Sequence, residues 1–158
     1  MPEPGRVRLL ARNRRARHLF HILEELEAGI ELFGTEVRSL RQGGAQITEA
    51  YVRIERGEAW LHGAHIPPYE FGNRQNHEPL RARRLLLHRR ELDQLGGAVK
   101  QPGVTLVPLD LHVSGNRVKV EVALARGKRE YDKRQALEER EARRQIERGV
   151  RREWKTGV

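Results

Sequence analysis

From Arg126 onward the chain has almost nothing to bury, so any hydrophobic core must be built from the residues before it. Residues 126–158 hold 12 Lys and Arg against 7 Asp and Glu, with few large aliphatics, Leu137, Ile146 and Val150 among them. The part that precedes this stretch is long enough for one core of its own, since about 100–130 residues suffice. Gln135–Arg148 is rich in helix formers and carries opposite charges four apart, as in Glu139/Arg143, which support a helix. A helix that is polar nearly all round buries little and is marginal alone in water. The expectation for 128–158 is therefore a basic C-terminal tail, disordered when free and helical on a partner.

The charge points to what that partner is. The whole chain has 31 Lys and Arg against 22 Asp and Glu, a net charge of +9, which favours a polyanion. RNA, DNA and an anionic membrane surface all remain open on this ground. Arginine outnumbers lysine 26 to 5. Guanidinium groups grip phosphate in pairs of bonds and stack on bases, which leans toward nucleic acid, although codon usage in a GC-rich genome gives the same bias. Cysteine is absent, which excludes disulfides, thiolate nucleophiles and Cys-ligated zinc. No apolar run approaches the ~20 residues of a membrane span, and no signal-type segment opens the chain. A soluble, cytoplasmic protein without membrane attachment is expected.

Catalytic signatures are missing. Neither common glycine-rich phosphate loop is present, and no Gly-x-Ser-x-Gly elbow occurs. His62, His65 and His77 are the best metal candidates, but positions three apart on a strand face opposite ways. No enzyme, metal or cofactor is expected.

Along the chain, residues 1–17 read as a basic arm in which Arg6, Arg8, Arg12, Arg14, Arg15 and Arg17 face only Glu3. Such blocks track phosphates or simply fray. Residues 18–42 are ambiguous: Leu19, Ile22, Leu23 and Leu26 have helical spacing, while Phe20, Ile22 and Glu24 alternate as a strand. Gly29 breaks either element, and Thr35 caps a short helix through Leu40. A hairpin covers 46–66, with its turn at Arg56-Gly57-Glu58. Residues 67–84 form a polar, basic loop. A helix is predicted over 85–98, ending at Gly96-Gly97. Late strands follow at 104–109, 111–113 and 118–124, and Pro108 requires an edge position or a bulge. The fold class is mostly β: a small antiparallel barrel over 18–127 with embedded helices, a solution that removes open sheet edges.

The positive charge gathers in the arm, in Arg74–Arg90 and in the tail. Tyr69, Phe71 and His77 lie among the loop cations, placed either to stack on unpaired bases or to cover the end of the barrel. Glu27 stands near many arginines, as an organiser of them, an acceptor for a base amino group, or a solvated carboxylate.

Several segments closely resemble the tmRNA-binding (SmpB) protein family. They include Asn13-Arg14-Arg15-Ala16-Arg17-His18, Glu27-Ala28-Gly29-Ile30-Glu31-Leu32-Phe33-Gly34-Thr35-Glu36-Val37-Arg38, Pro68-Tyr69-Glu70-Phe71-Gly72-Asn73-Arg74, Arg84-Leu85-Leu86-Leu87-His88 and Tyr131-Asp132-Lys133-Arg134. The resemblance runs colinearly from about Asn13 to Glu141. It implies an oligonucleotide-binding-like barrel, with a strand near 19–27. It further implies a non-catalytic protein that binds the tRNA-like domain of tmRNA and brings it to stalled ribosomes. The tail would probe the decoding centre and the empty mRNA channel. Aminoacylated tmRNA, elongation factor Tu and the ribosome are the implied partners, in a 1:1 complex of a monomer. The family's RNA-contacting positions fall on Asn13, His18, Glu27, Leu86 and His88, with Arg15, Arg17 and Arg38 as neighbouring phosphate contacts. Its ribosome-facing tail falls on Lys128, Tyr131, Asp132, Lys133 and Arg134, followed by Arg143 and Arg144. Where many relatives place Trp after a Glu-Arg-Glu run, this chain has Ala142, and Trp154 comes later.

Overall fold

The computed structural model describes the backbone of residues 7–156 and the side chains of 7–128 and 136–149. Seven strands run β1 Val7–Arg12, β2 Phe20–Ile30, β3 Tyr51–Glu55, β4 Glu58–His62, β5 Arg83–Leu86, β6 Val104–Ser114 and β7 Arg117–Gly127. Four helices join them: α1 Ala16–Leu19, α2 Gly34–Gln42, α3 Arg89–Ala98 and α4 Lys128–Thr156. All pairings are antiparallel, and the order β6-β3-β4-β5-β2-β7 returns to β6. The sheet is thus a closed six-stranded ring, with β1 added alongside β6. Closure leaves no ring strand with an open edge. The mostly β barrel with embedded helices and a C-terminal extension is as the sequence indicated.

Alternation fixes which side of each strand faces in. Val120 and Val122 on β7, Leu61 on β4, Leu85 on β5 and Leu106 and Leu111 on β6 are buried inside the ring. Leu40 of α2 and Leu92 and Leu95 of α3 join the same cluster, so these helices close the barrel rather than decorate it. Each fully buried leucine contributes about 2 kcal/mol. A second, smaller cluster lies outside the ring, where Ala16 of α1 covers Val107, Leu109, Ala123 and Ala125.

Several local expectations are revised. Within the arm expected over 1–17, Val7–Arg12 pairs with β6 and Leu10 and Ala11 pack against the main core, while residues 1–6 lie outside the described residues. Residues 20–30 are strand, so alternation prevails over the helical spacing, and Gly29 lies inside the strand rather than ending it. The helix predicted from Leu85 begins only at Arg89; Arg83–Leu86 is a strand because Arg83 and Leu85 alternate inward. That helix also continues through Gly96 and Gly97 to Ala98. Thr35 is not the cap of α2: Phe33 holds that place, its backbone N–H donating to the Glu36 carboxylate at 2.8 Å. The hairpin turn is as expected, with positive φ at Arg56 (52°) and Gly57 (76°). At Pro108 the β6–β7 register slips before Asp110, the bulge that a residue without an N–H requires. The tail is the continuous helix α4, starting directly where β7 ends.

Candidate nucleic-acid interface

An open groove of about 990 Å³ crosses the outside of the barrel between β2, β5 and the start of α3. Glu27 and Gly29 come from β2, Leu86 from β5, and His88 and Arg89 from the N-terminus of α3. Arg84, Arg117 and Lys119 add positive charge along it. Three sequence-predicted residues, Glu27, Leu86 and His88, are thereby brought together from well-separated segments. Leu86 is 48% exposed, an apolar side chain standing in a charged groove. A Cβ on Gly29 would lie 3.1 Å from Leu86 Cβ, so the bare glycine lets the Leu86 side chain sit where it does. His88 precedes α3, and its backbone N–H donates to Glu91 Oε1 at 3.1 Å, which leaves the exposed imidazole on the groove rim. Arg84 Nε donates to Glu31 Oε2 at 2.9 Å.

Glu27 is not simply solvated. Its Oε2 lies 2.9 Å from Nε2 of His112, whose Nδ1 lies 2.6 Å from Asp110 Oδ1. Burial alone would push His112 toward its neutral form, but the bonds and charges of Asp110 and Glu27 outweigh it and hold its pKa above the ordinary imidazole value. Across the ladder, Glu121 is pushed up by burial and by the charges of Asp110, Glu25 and Glu27. His112 was not among the sequence-selected residues. The signal was there: Asp110 and His112 stand two apart on a strand, and so face one way.

The remaining barrel residues form a separate region. Asn13 and Arg15 line a smaller depression with Ala16, Leu19 and Phe20. Asn13 is buried; its Nδ2 donates to the Pro108 carbonyl at 3.0 Å and its backbone N–H to that of Leu109 at 2.8 Å. It thus ties the start of α1 to the bulge of β6. Arg15 meets Glu49 at 3.4 Å and Arg17 meets Glu25 at 2.9 Å, all substantially exposed. His18 is exposed on α1. Arg38 projects from α2, with its guanidinium 5.9 Å from the Tyr69 ring centre. The structure does not gather all eight residues into one patch.

The basic loop also divides. Arg83 is completely buried and pairs with the equally buried Glu36, while Arg83 Nη1 donates to the Ala64 carbonyl at 2.8 Å. Arg81 meets Glu36 at 2.5 Å and lies 4.0 Å from the Phe33 ring centre. These two arginines hold the fold together and leave the basic surface. His77 is likewise internal, 2.9 Å from both Thr35 Oγ1 and the Ile66 carbonyl. Tyr69 and Phe71 meet edge to face at 5.6 Å, and Phe71 remains 69% exposed. On α4, Arg143 and Arg144 are exposed. Tyr131, Asp132, Lys133 and Arg134 lie on α4, with side chains outside the described residues, and so does that of Trp154. No helix among the described residues is long and apolar enough to cross a membrane.

A small closed antiparallel barrel, basic on its outer groove and extended by a basic helix, belongs to the oligonucleotide-binding-like class. Within that class the assignment is specific: the family model for SmpB protein matches residues 10–152, and the chain belongs to the SmpB family. It is similar to the SsrA-binding protein of Carboxydothermus hydrogenoformans, 51% identical over 91% of this chain and 97% of the relative. The SsrA-binding protein of Thermobifida fusca is 54% identical over 90% of this chain and 89% of the relative. A solved chain described in the words "tmRNA-SmpB: a journey to the center of the bacterial ribosome" superimposes with a TM-score of 0.63. It is 51% identical, over 74% of this chain and 82% of that one.

Proposed function

We propose that this protein binds the tRNA-like domain of tmRNA through its barrel and brings it to stalled ribosomes for trans-translation. The observation that carries the reading is the meeting of Glu27, Leu86 and His88 in one groove with Arg84, Arg89, Arg117 and Lys119. Arginines and lysine supply phosphate contacts, which position an RNA without reading it. Glu27 accepts hydrogen bonds from base amino groups or 2′-hydroxyls, and Leu86 packs against an unstacked base or a sugar. Asn13, Arg15, Arg17, His18 and Arg38 form additional contact points around the barrel. Support for the partner comes from relatives that are SsrA-binding proteins and from the wording of the solved relative, which joins tmRNA to the ribosome.

In this reading the chain divides its labour. The arm and barrel hold tmRNA, and the tail from Lys128 through Tyr131, Asp132, Lys133 and Arg134 to Arg143 and Arg144 enters the decoding centre and the vacant mRNA channel. The protein acts in the cytoplasm as a monomer, one per tmRNA, delivered with aminoacylated tmRNA and elongation factor Tu. It supplies shape and charge, and no bond-breaking step is assigned to it.

The test is a competition between tmRNA and bulk tRNA for the full chain over a salt series. Tighter binding of tmRNA at every salt concentration is expected, with affinity falling steeply as salt rises, about 0.7–0.9 log units per phosphate contact for each log unit of salt. Equal affinity for the two RNAs overturns the proposed specificity.

A further inference from the structure

Behind Glu27 stands a buried cation in the making. His112 has only 7% of its side chain exposed, yet both ring nitrogens face carboxylates, Nε2 toward Glu27 and Nδ1 toward Asp110. An imidazole carries N–H on both nitrogens only when it is protonated. In the neutral ring, one of the two carboxylates would face a bare nitrogen lone pair. The neighbouring strands reinforce the charged form. Glu25 and Glu27 come from β2, and Glu121 of β7 stands opposite both Asp110 and Glu27 in the ladder. Lys119 of β7 lies opposite His112, and Arg12 of β1 lies opposite Asp110. Acids dominate the surroundings of the ring, in keeping with its raised pKa.

We propose that His112 is a positioning residue for RNA binding, its doubly protonated ring bridging Asp110 and Glu27 so that the Glu27 carboxylate is presented to the groove in one orientation. The inference rests on the reading of the groove as the RNA site. One oxygen of Glu27, Oε2, is tied back, and the carboxylate keeps Oε1 for a donor on the RNA, a base amino group or a 2′-hydroxyl rather than a phosphate. The imidazolium also offsets the negative charge that Glu27 brings close to the RNA backbone. Loss of the proton removes both effects. Because the ring is protonated below its raised folded pKa and neutral above it, RNA affinity rises as pH falls through that point.

The experiment measures tmRNA affinity of the full chain between about pH 6 and pH 8.5, a window that brackets the imidazole. Wild type, His112→Gln, Glu27→Gln and the double variant are compared. His112→Gln is expected to weaken binding roughly tenfold at the low end, in line with loss of one charge-assisted hydrogen bond, and to flatten the pH profile. The double variant is expected to bind no more weakly than Glu27→Gln alone. If Glu27→Gln weakens binding while His112→Gln keeps both the affinity and the pH profile of wild type, the positioning role is overturned and the groove reading stands. If Glu27→Gln binds as wild type does, the groove reading itself fails, and this inference with it. Should His112→Gln not fold, Asp110→Asn keeps the ring and removes one acceptor charge. The midpoint of the binding profile then moves to lower pH, and an unmoved midpoint overturns the proposal.

Discussion

Glu36 and Arg83 form an ion pair in which neither side chain has any exposed surface. It joins α2 to β5 across the end of the barrel, and Arg81 meets the second carboxylate oxygen. Removing one partner strands a buried charge, so Glu36→Gln or Arg83→Met is expected to cost about 3–5 kcal/mol, read as a shifted urea midpoint at unchanged m-value. Burial pushes Glu36 up, but the bonds from Arg81, the Phe33 N–H and Arg83 hold its pKa below the ordinary carboxylate value. Its contribution is therefore complete above the unfolded pKa and is lost as pH falls through the lower folded one. In acid titrations of stability, the wild type should lose this advantage over Glu36→Gln as pH falls below the ordinary carboxylate range.

Leu86 and Gly29 separate binding from folding. Leu86 is half exposed, so Leu86→Ala is expected to change stability by less than about 0.5–1 kcal/mol while weakening tmRNA binding. Gly29→Val places side-chain atoms against Leu86, whose Cβ is already 3.1 Å from any Cβ at that position. A loss of about 1–3 kcal/mol is expected from overpacking, together with reduced binding. Paired melting and gel-shift measurements check both.

Removal of the tail is expected to leave the core closed, because the side chains of 136–149, among the described residues, are all exposed. A chain ending at Gly127 should retain tmRNA affinity and lose peptide tagging on stalled ribosomes. Joint loss of both activities means that α4 contributes to RNA docking.

Arg56 carries a positive φ of 52° in the two-residue turn between β3 and β4. Asparagine tolerates that conformation better and forms the favoured Asn-Gly pair with Gly57. Arg56→Asn is expected to stabilise the chain by about 0.5–1 kcal/mol, measured by thermal melting, with RNA affinity unchanged.

Alternation made the β3–β4 hairpin and β7 legible, and the poverty of aliphatics beyond Arg126 marked where the barrel ends. Residues 18–30 were not decidable locally, because Leu19, Ile22 and Leu23 satisfy either period; pairing with β7 settles the stretch from Phe20 as strand, while His18 and Leu19 end the short helix α1. Arg83 misled for a physical reason. A buried arginine is readable only together with its partner, and Glu36 lies 47 residues away. Colinear resemblance supplied Glu27, Leu86 and His88, and the fold showed that they share a groove. His112 escaped because its value depends on Glu27, on a strand that the ladder does not even place beside its own.

The barrel closes between β2 and β5 through only two facing pairs, Gly29 with Leu86 and Ile30 with Leu85. This short seam runs along the floor of the groove. Local parting there would widen the channel. An RNA strand laid across it would act as a clasp, bracing the cylinder along a short weld, so the molecule is stiffest when it is carrying its cargo.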